Sequence, residues 1–210
     1  MMYLLLFIVL ILIVYLVYLF RWWKVQTDFP KNCTISARLT SDDIYPGDIV
    51  LTTTRRKKWR YSWWSHIALV FVDTDGSKKI AEFSQGGLQV SPIEMYVNLE
   101  RRAIYGVRRL KKALTAEESA RLTAAVYSHR NTVFNHRYVT IWILKQLLPC
   151  CFPVWWIKGE HCTSFVADCL ERAHIISACD RHGISVADFT TDWLSDRYDS
   201  DALLIHVPYH

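Results

Sequence analysis

The sequence predicts an α+β protein in which an antiparallel sheet packs against helices, preceded by one N-terminal transmembrane helix. Three observations predict it: an apolar run at the amino terminus, short β-type segments between residues 49 and 110, and amphipathic helical segments after residue 114. Strands in a run with helices after them are typical of the α+β class. The chain has 210 residues, of which 51% are apolar, so one membrane segment and one well-packed globular domain are expected rather than disorder.

The amino-terminal run has the properties of a membrane anchor. Residues 1–20 contain no charged side chain, and about 20 apolar residues are what a helix needs to cross the hydrocarbon core. Arg21, Trp22, Trp23 and Lys24 follow directly, as is typical of a headgroup boundary. A cleaved signal peptide would have a positively charged start and a small-residue cleavage site, and this segment has neither. We therefore predict an uncleaved anchor.

The charge asymmetry around the anchor predicts its orientation. Basic residues follow it and none precedes it, so the positive-inside tendency places the carboxy-terminal domain of a single-pass protein on the cytoplasmic side. Six irregularly spaced cysteines are expected to be reduced there, and a reduced cysteine can be a nucleophile. We divide the chain into a transmembrane anchor (1–20), a linker (21–44) and a globular domain (45–210).

Short β-type segments predict the sheet. Turn signals precede and separate them, as in Tyr45-Pro46-Gly47-Asp48. The hairpin-like turn at residues 73–76 predicts that the strands on either side of it are antiparallel neighbours. The predicted strands are residues 49–53, 65–72, 80–84, 88–90 and 103–110.

Two helices are predicted after the strands. Thr115 and Glu118 fit a capping box, which predicts a helix that continues to about residue 129. Residues 162–174 place their apolar side chains on one side of a second helix. Residues 139–157 are also very apolar, but two prolines and two polar residues interrupt them, so a second membrane span is an alternative that we do not favour.

Cys162 stands at the predicted start of the second helix. A helix amino terminus carries about half a positive charge and several N–H groups without intrahelical partners. That field favours thiolate over thiol, and the N–H groups can stabilise an oxyanion on an attacked carbonyl. We therefore interpret Cys162 as a candidate nucleophile. The competing interpretation is a small apolar residue at a helix start.

His66 is the candidate base. Among eight histidines, it alone opens a strongly apolar strand, where a polar side chain is unexpected. A histidine fixed on a strand is a rigid general base for a thiol. The competing interpretation is a core histidine whose hydrogen bonds are satisfied.

Glu82 is the candidate third residue. It lies among apolar neighbours in the strand that returns after the turn at residues 73–76. A hairpin brings it near His66, where a carboxylate would hold the imidazole tautomer and stabilise its charged form. The competing interpretation is a solvent-facing strand residue, with Gln85 as a nearby substitute in the role.

Four segments follow one another in a recognisable order. They are Gly47-Asp48-Ile49-Val50-Leu51, then Ser65-His66-Ile67-Ala68-Leu69-Val70, then Glu82 with Gly86-Gly87-Leu88-Gln89-Val90, then His161-Cys162-Thr163-Ser164-Phe165-Val166. Over about residues 45–175, this order resembles the circularly permuted NlpC-type papain-like enzymes. YiiX-like bacterial proteins, lecithin:retinol acyltransferase-like proteins and some proteins of large DNA viruses are similar.

The resemblance implies a permuted papain-like (NlpC-type) domain and a role for each candidate residue. In that group the histidine strand precedes the cysteine helix, the reverse of the ordinary papain order. The group implies Cys162 as nucleophile, His66 as base and Glu82 as orienting residue. The acyltransferase branch often has a second histidine in the third position, so the glutamate here favours the YiiX-like branch.

A basic and aromatic loop lies directly before His66. Five of residues 55–60 are Lys or Arg, and three tryptophans fall within residues 59–64. Basic residues are attracted to anionic headgroups by roughly 1 kcal/mol each, and Trp prefers the interface. The predicted membrane contacts are Arg55, Arg56, Lys57, Lys58, Trp59 and Arg60, and the predicted substrate contacts are His161, Trp63 and Trp64. The competing interpretation is a solvated loop with its aromatics packed inward.

The expected partners are membrane lipids and a lipid, lipidated or peptide substrate. Nucleic acid is not expected, because the basic patch is short. We predict no cofactor and no metal: zinc sites favour pairs of closely spaced ligands, and only Cys179-x-x-His182 has that spacing. The sequence does not indicate an oligomeric state.

The sequence thus predicts a membrane-anchored thiol hydrolase that cleaves an amide, ester or thioester with a Cys-His-Glu triad. A lipid acyltransferase of the same fold and a non-catalytic, membrane-tethered binding module are the alternatives. An inactive copy would be expected to lose the cysteine or the histidine, and both are present. A second span at residues 139–157 would instead separate Cys162 from His66 across the bilayer.

Overall fold

A computed structural model describes residues 9–16, 33–36, 40–54, 66–97, 102–135, 160–177, 186, 189, 194 and 197–206. The strands are β1 (Cys33–Ser36), β2 (Ile49–Thr54), β3 (His66–Val72), β4 (Lys78–Ser84), β5 (Gly87–Pro92), β6 (Arg102–Leu110) and β7 (Tyr198–His206). The helices are α1 (Ile93–Val97), α2 (Ala116–Ser128) and α3 (Cys162–Arg172), and a 3-10 turn covers Ser41–Asp43.

The strands form one sheet in the order β1-β7-β6-β2-β3-β4-β5. Every neighbouring pair is antiparallel except β1 and β7, which are parallel. The antiparallel sheet with packed helices confirms the predicted α+β class. All five predicted strands and both predicted helices are present, with ends shifted by a few residues at most.

Among the described residues, four elements were not predicted from the sequence patterns: β1, β7, α1 and the 3-10 turn. Strand β1 lies within residues 21–44, the predicted linker, whose boundaries stay a prediction. Four residues carry too little pattern to predict a strand, and β1 forms because Cys33 pairs with Leu203, about 170 positions later. Helix α1 has five residues, fewer than the length at which helical periodicity can be recognised.

The two faces of the sheet are buried against different partners. One face packs against α2 and α3 through Ile67, Leu69 and Phe71 of β3. The other face carries Ala68 and Val70 into a second cluster, which includes Ile93 and Tyr96 of α1. Because both faces are covered, β3 is apolar at nearly every position instead of alternating.

The Gly47-Asp48 turn holds the beginning of β2 against two other strands. Gly47 has a φ of 89°, and a side chain there would collide with Leu110. Its N–H donates to the Val70 carbonyl (2.8 Å), and the Tyr198 hydroxyl donates to its carbonyl (2.9 Å). Asp48 is buried, which raises the pKa of its carboxyl. The first segment of the family resemblance therefore has a structural role.

The predicted membrane anchor lies largely outside the described residues. Residues 9–16 are helical, and the apolar side chains among them are about half exposed. Within the part of the chain that the structure describes, no helix has the length and apolarity needed to span a bilayer. The anchor over residues 1–20, the cytoplasmic orientation and the domain boundaries stay predictions.

Candidate active site

Cys162 and His66 are each the first residue of their element, at the start of α3 and of β3. Helix α3 begins at Cys162 because His161 caps it. The His161 ring accepts a hydrogen bond from the Ser164 backbone N–H (3.3 Å), and the Ser164 hydroxyl accepts one from the His161 N–H (3.0 Å). This reciprocal pair is a capping box with histidine in the usual place of serine or threonine.

The first turn of α3 lies where the buried helix meets the surface. Residues 163–170 are all buried, whereas Cys162 is partly exposed and has a free thiol. Cys169, also free, is completely buried. Burial raises the pKa of the Cys169 thiol well above its ordinary value, and the nearby Glu160 carboxylate adds to that rise. The two thiols of α3 thus have opposite environments.

Strand pairing brings Glu82 to His66. In the β3–β4 hairpin, Glu82 lies opposite Ala68, so its side chain is on the same face of the sheet as the side chains of Ala68 and His66. The His66 Nε2 atom is 2.7 Å from the Glu82 Oε2 atom. The side chains are 20% and 11% exposed, so this hydrogen bond is well shielded from water. A carboxylate at Nε2 selects the tautomer that carries a proton there.

His66 also contacts Cys162, and this contact completes the cluster. Burial by itself lowers the pKa of the imidazole, but hydrogen bonds with Cys162 and Glu82, together with their negative charges, raise it from 6.5 to about 9. The imidazole therefore lies between a sulfur and a carboxylate, and the cluster favours its protonated form at neutral pH.

One contact of this cluster was not predicted from the sequence. The Tyr96 hydroxyl donates to the same Glu82 oxygen at a distance of 3.3 Å, and Tyr96 is buried. Tyr96 belongs to the short helix α1, on the face of the sheet opposite α3. No spacing or motif in the sequence relates Tyr96 to Glu82.

The other predicted site residues have different positions. The His161 side chain is 3% exposed and caps α3, where its Nδ1 atom is also 2.7 Å from the Thr163 hydroxyl. Its contact with substrate stays a prediction. Trp63, Trp64 and the loop residues Arg55, Arg56, Lys57, Lys58, Trp59 and Arg60 lie outside the described residues.

The described residues contain no group of three or more His, Cys, Asp or Glu side chains placed to hold a metal ion. The one closely spaced pair, Cys179 and His182, lies outside them.

The two thiols of α3 are expected to differ in reactivity. We expect iodoacetamide at neutral pH to label Cys162 at least about tenfold faster than Cys169, because a thiol with a strongly raised pKa holds little thiolate. Mass spectrometry of the two cysteine peptides in the native full-length chain measures both rates. Labelling of both cysteines in denaturant provides the reference rates. Equal labelling rates for Cys162 and Cys169 in the native chain would contradict the different environments described for the two thiols.

Comparison with known proteins identifies a family for this chain. The model of a family described as permuted papain-like amidase enzymes, YaeF/YiiX, C92 family, matches residues 43–185. Among solved structures, a similar one is the crystal structure of the metalloprotein YiiX from Escherichia coli O157:H7, with 15% identity and a TM-score of 0.44. The alignment covers 61% of this chain and 66% of that one, just under two thirds of its length. So weak a structural likeness adds no weight to the family assignment. No curated protein matches the sequence.

The family match spans more than half of the chain and includes His66, Glu82 and Cys162. It confirms the permuted papain-like resemblance seen in the order of the sequence segments. The family is one of cysteine-type amidases and peptidases, which accords with a thiol at a helix start beside an imidazole. The chain belongs to the permuted papain-like amidases of the YaeF/YiiX type, the C92 family.

Proposed function

We propose that this protein is a membrane-anchored cysteine hydrolase that cleaves an amide, ester or thioester bond, with Cys162, His66 and Glu82 as its catalytic residues. One observation carries the proposal: the His66 ring contacts the Cys162 thiol on one side and the Glu82 carboxylate on the other. A nucleophile, a base and an orienting group within hydrogen-bond reach are the arrangement that covalent thiol catalysis requires.

The proposed reaction has two steps, and His66 transfers the proton in both. The Cys162 sulfur attacks the carbonyl carbon, and N–H groups in the first turn of α3 stabilise the oxyanion. His66 protonates the leaving amine, alcohol or thiol, which departs and leaves an acyl group on the sulfur. Water then attacks the acyl-enzyme while His66 accepts its proton, and the carboxylic acid product and the free thiol are released.

A lipid or lipidated substrate is the further part of the proposal. The apolar segment 1–20 would hold the domain at a bilayer, and the basic and aromatic loop at residues 55–64 directly precedes His66. Electrostatic attraction of that loop to anionic headgroups, together with Trp at the interface, would bring the entrance of the site to the lipid surface. The acyl bond of a membrane lipid or of a lipid-modified peptide would then be within reach.

The experiment that tests this is a substrate comparison with the full-length chain in anionic lipid vesicles. The panel contains phospholipid esters, an N-acylated lipid amide, a thioester-linked lipopeptide and soluble peptidoglycan-type peptides, with products identified by mass spectrometry. We expect the membrane-embedded substrates to be cleaved faster than the soluble peptides. Cys162→Ala is the negative control, and Cys169→Ala is the matched control.

Each outcome has a clear meaning. Cleavage of soluble peptides alone would overturn the lipid part of the proposal and leave the hydrolase part. Transfer of the acyl group to an added amine or lysolipid, with little free acid, would show an acyltransferase instead of a hydrolase. Product formation that continues in Cys162→Ala would overturn the proposed nucleophile.

A further inference from the structure

A buried tyrosine lies behind the acidic member of the site. We propose that Tyr96 is a positioning residue, whose hydroxyl holds the Glu82 carboxylate in the orientation that His66 requires. The proposal rests on the proposed catalytic roles of Cys162, His66 and Glu82, and it extends the site to helix α1, which packs on the face of the sheet that carries Glu82.

Two donors converge on a single oxygen. The Glu82 Oε2 atom is 2.7 Å from His66 Nε2 and 3.3 Å from the Tyr96 hydroxyl. His66 approaches along the sheet from β3, while Tyr96 approaches from α1, which packs against β4 and β5. The carboxylate is therefore contacted from two directions. His66 belongs to the proposed catalytic residues, whereas Tyr96 does not.

Tyr96 is well placed to act as a rigid support. It is 1% exposed and belongs to the buried cluster that includes Ala68, Ile80 and Ile93. Ala68 lies directly opposite Glu82 in the hairpin, so the tyrosine ring is packed beside the residue that it supports. A tyrosine side chain fixed by packing loses little further entropy when it holds a hydrogen bond.

The need for such support follows from the chemistry of glutamate. The terminal torsion of a glutamate side chain is soft and broad, so a second hydrogen bond restricts the rotation of the carboxylate more than a bond from His66 alone does. At 3.3 Å the tyrosine bond is longer than the usual O–H···O distance of about 2.7–2.8 Å, so it withdraws little charge from the carboxylate. We therefore expect Tyr96 to restrict orientation more than it changes basicity.

The groups that face His66 define what the test must measure. Among the described residues they include the Cys162 thiol from α3 and the Glu82 carboxylate from β4, with the Tyr96 hydroxyl behind the latter. An imidazolium beside the sulfur attracts anionic iodoacetate but has little effect on neutral iodoacetamide. The ratio of the two alkylation rates at Cys162 therefore reports the charge on His66, and it needs no substrate.

The experiment compares Tyr96→Phe with Tyr198→Phe in the full-length chain. Tyr198 is a matched control, because it is equally buried and its hydroxyl donates to the Gly47 carbonyl (2.9 Å), away from the site. Both variants lose one buried hydroxyl hydrogen bond, so a merely structural effect would appear in both. The readouts are the iodoacetate/iodoacetamide rate ratio against pH, kcat and KM for 4-nitrophenyl acetate, and thermal stability.

We expect Tyr96→Phe alone to change the site. The pH midpoint of the rate ratio should fall by roughly half a unit, which is about a threefold change in proton affinity at His66. The value of kcat should fall by about 3- to 10-fold with KM nearly unchanged, because the change acts through Glu82 on proton transfer by His66 and not on substrate binding. In a Glu82→Gln background, the added effect of Tyr96→Phe should be below about twofold, because the group that it positions has been altered.

Two results would overturn the inference. One is a Tyr96→Phe variant with the same rate ratio and kcat as Tyr198→Phe. The other is a fall in kcat on Tyr96→Phe that is as large in the Glu82→Gln background as in the wild type. Failure of the proposed function would give a different result, because wild type and Cys162→Ala would then turn over the ester equally. The alkylation ratio needs no turnover and would still report how Tyr96 and Glu82 affect the charge on His66.

Discussion

Replacing Cys162 by alanine is expected to abolish turnover, by roughly 10³-fold or more, while the fold stays intact. The thiol is the only atom group that the change removes, and in the proposed reaction it forms the bond to the acyl carbon. Because Cys162 is partly exposed at the start of α3, its removal leaves little buried space. Turnover and thermal unfolding of the full-length chain, measured side by side, check both parts.

Cys169→Ala is the matched control, because it removes the same sulfur from the same helix. Cys169 is completely buried in the core cluster beneath the sheet. We expect this variant to lose about 1–2 kcal/mol of unfolding free energy and to keep its turnover per folded molecule. A stability loss in Cys162→Ala equal to that of Cys169→Ala, with turnover retained, would assign Cys162 a packing role.

Replacing Glu82 by glutamine is expected to lower kcat by about 10- to 100-fold and to narrow the active pH range. Glutamine keeps the shape of the side chain but removes the charge that helps to hold the proton on His66. In the wild type, the contacts with Cys162 and Glu82 raise the pKa of His66 to about 9 despite burial. With the carboxylate charge removed, that pKa should fall towards the ordinary value of 6.5.

The sign of the pH effect follows from the role of the proton. His66 must be protonated to release an amine leaving group, so amide turnover should persist to about pH 9 and fall above it. In Glu82→Gln the fall should begin at lower pH. The folded protein also binds this proton more tightly than the unfolded chain does, so the stabilisation is complete below about pH 6.5 and is lost as the pH rises through about 9.

The pH dependence of kcat and of urea unfolding for wild type and Glu82→Gln measures these effects. Gln89→Glu is a useful control, because residue 89 lies opposite Glu82 on β5 and is exposed. It adds a second carboxylate beside Glu82 and leaves His66, Glu82 and Cys162 themselves unchanged. An alkaline limb that is identical in wild type and Glu82→Gln would show that Glu82 does not govern the protonation of His66.

Much of the site was predictable because its members have local signatures. An isolated histidine at the head of the apolar strand β3, a glutamate in the apolar strand after a turn, and a cysteine at a helix start each stand out within about ten residues. Hairpin pairing follows from the turn at residues 73–76, so the approach of Glu82 to His66 was expected from short-range rules alone.

The rest depends on contacts between distant parts of the chain. Strands β1 and β7 form because they pair across about 170 residues, and neither has a strong pattern of its own. The buried position of His161 results from its capping of α3, in which its ring contacts Ser164 and Thr163. Propensity in such short segments is weak compared with the packing that surrounds them.

By itself, the sequence determined the class of fold, the order of its main elements and the three candidate residues Cys162, His66 and Glu82 that the fold brings together. Periodicity, capping and turn formation act over a few residues and therefore leave a readable pattern. Only the tertiary structure decided that Tyr96 meets the Glu82 carboxylate on the α1 face of the sheet and that the Cys169 thiol is completely buried. Such contacts depend on which faces of the helices and the sheet pack together, and burial in a packed core is a property of the whole chain.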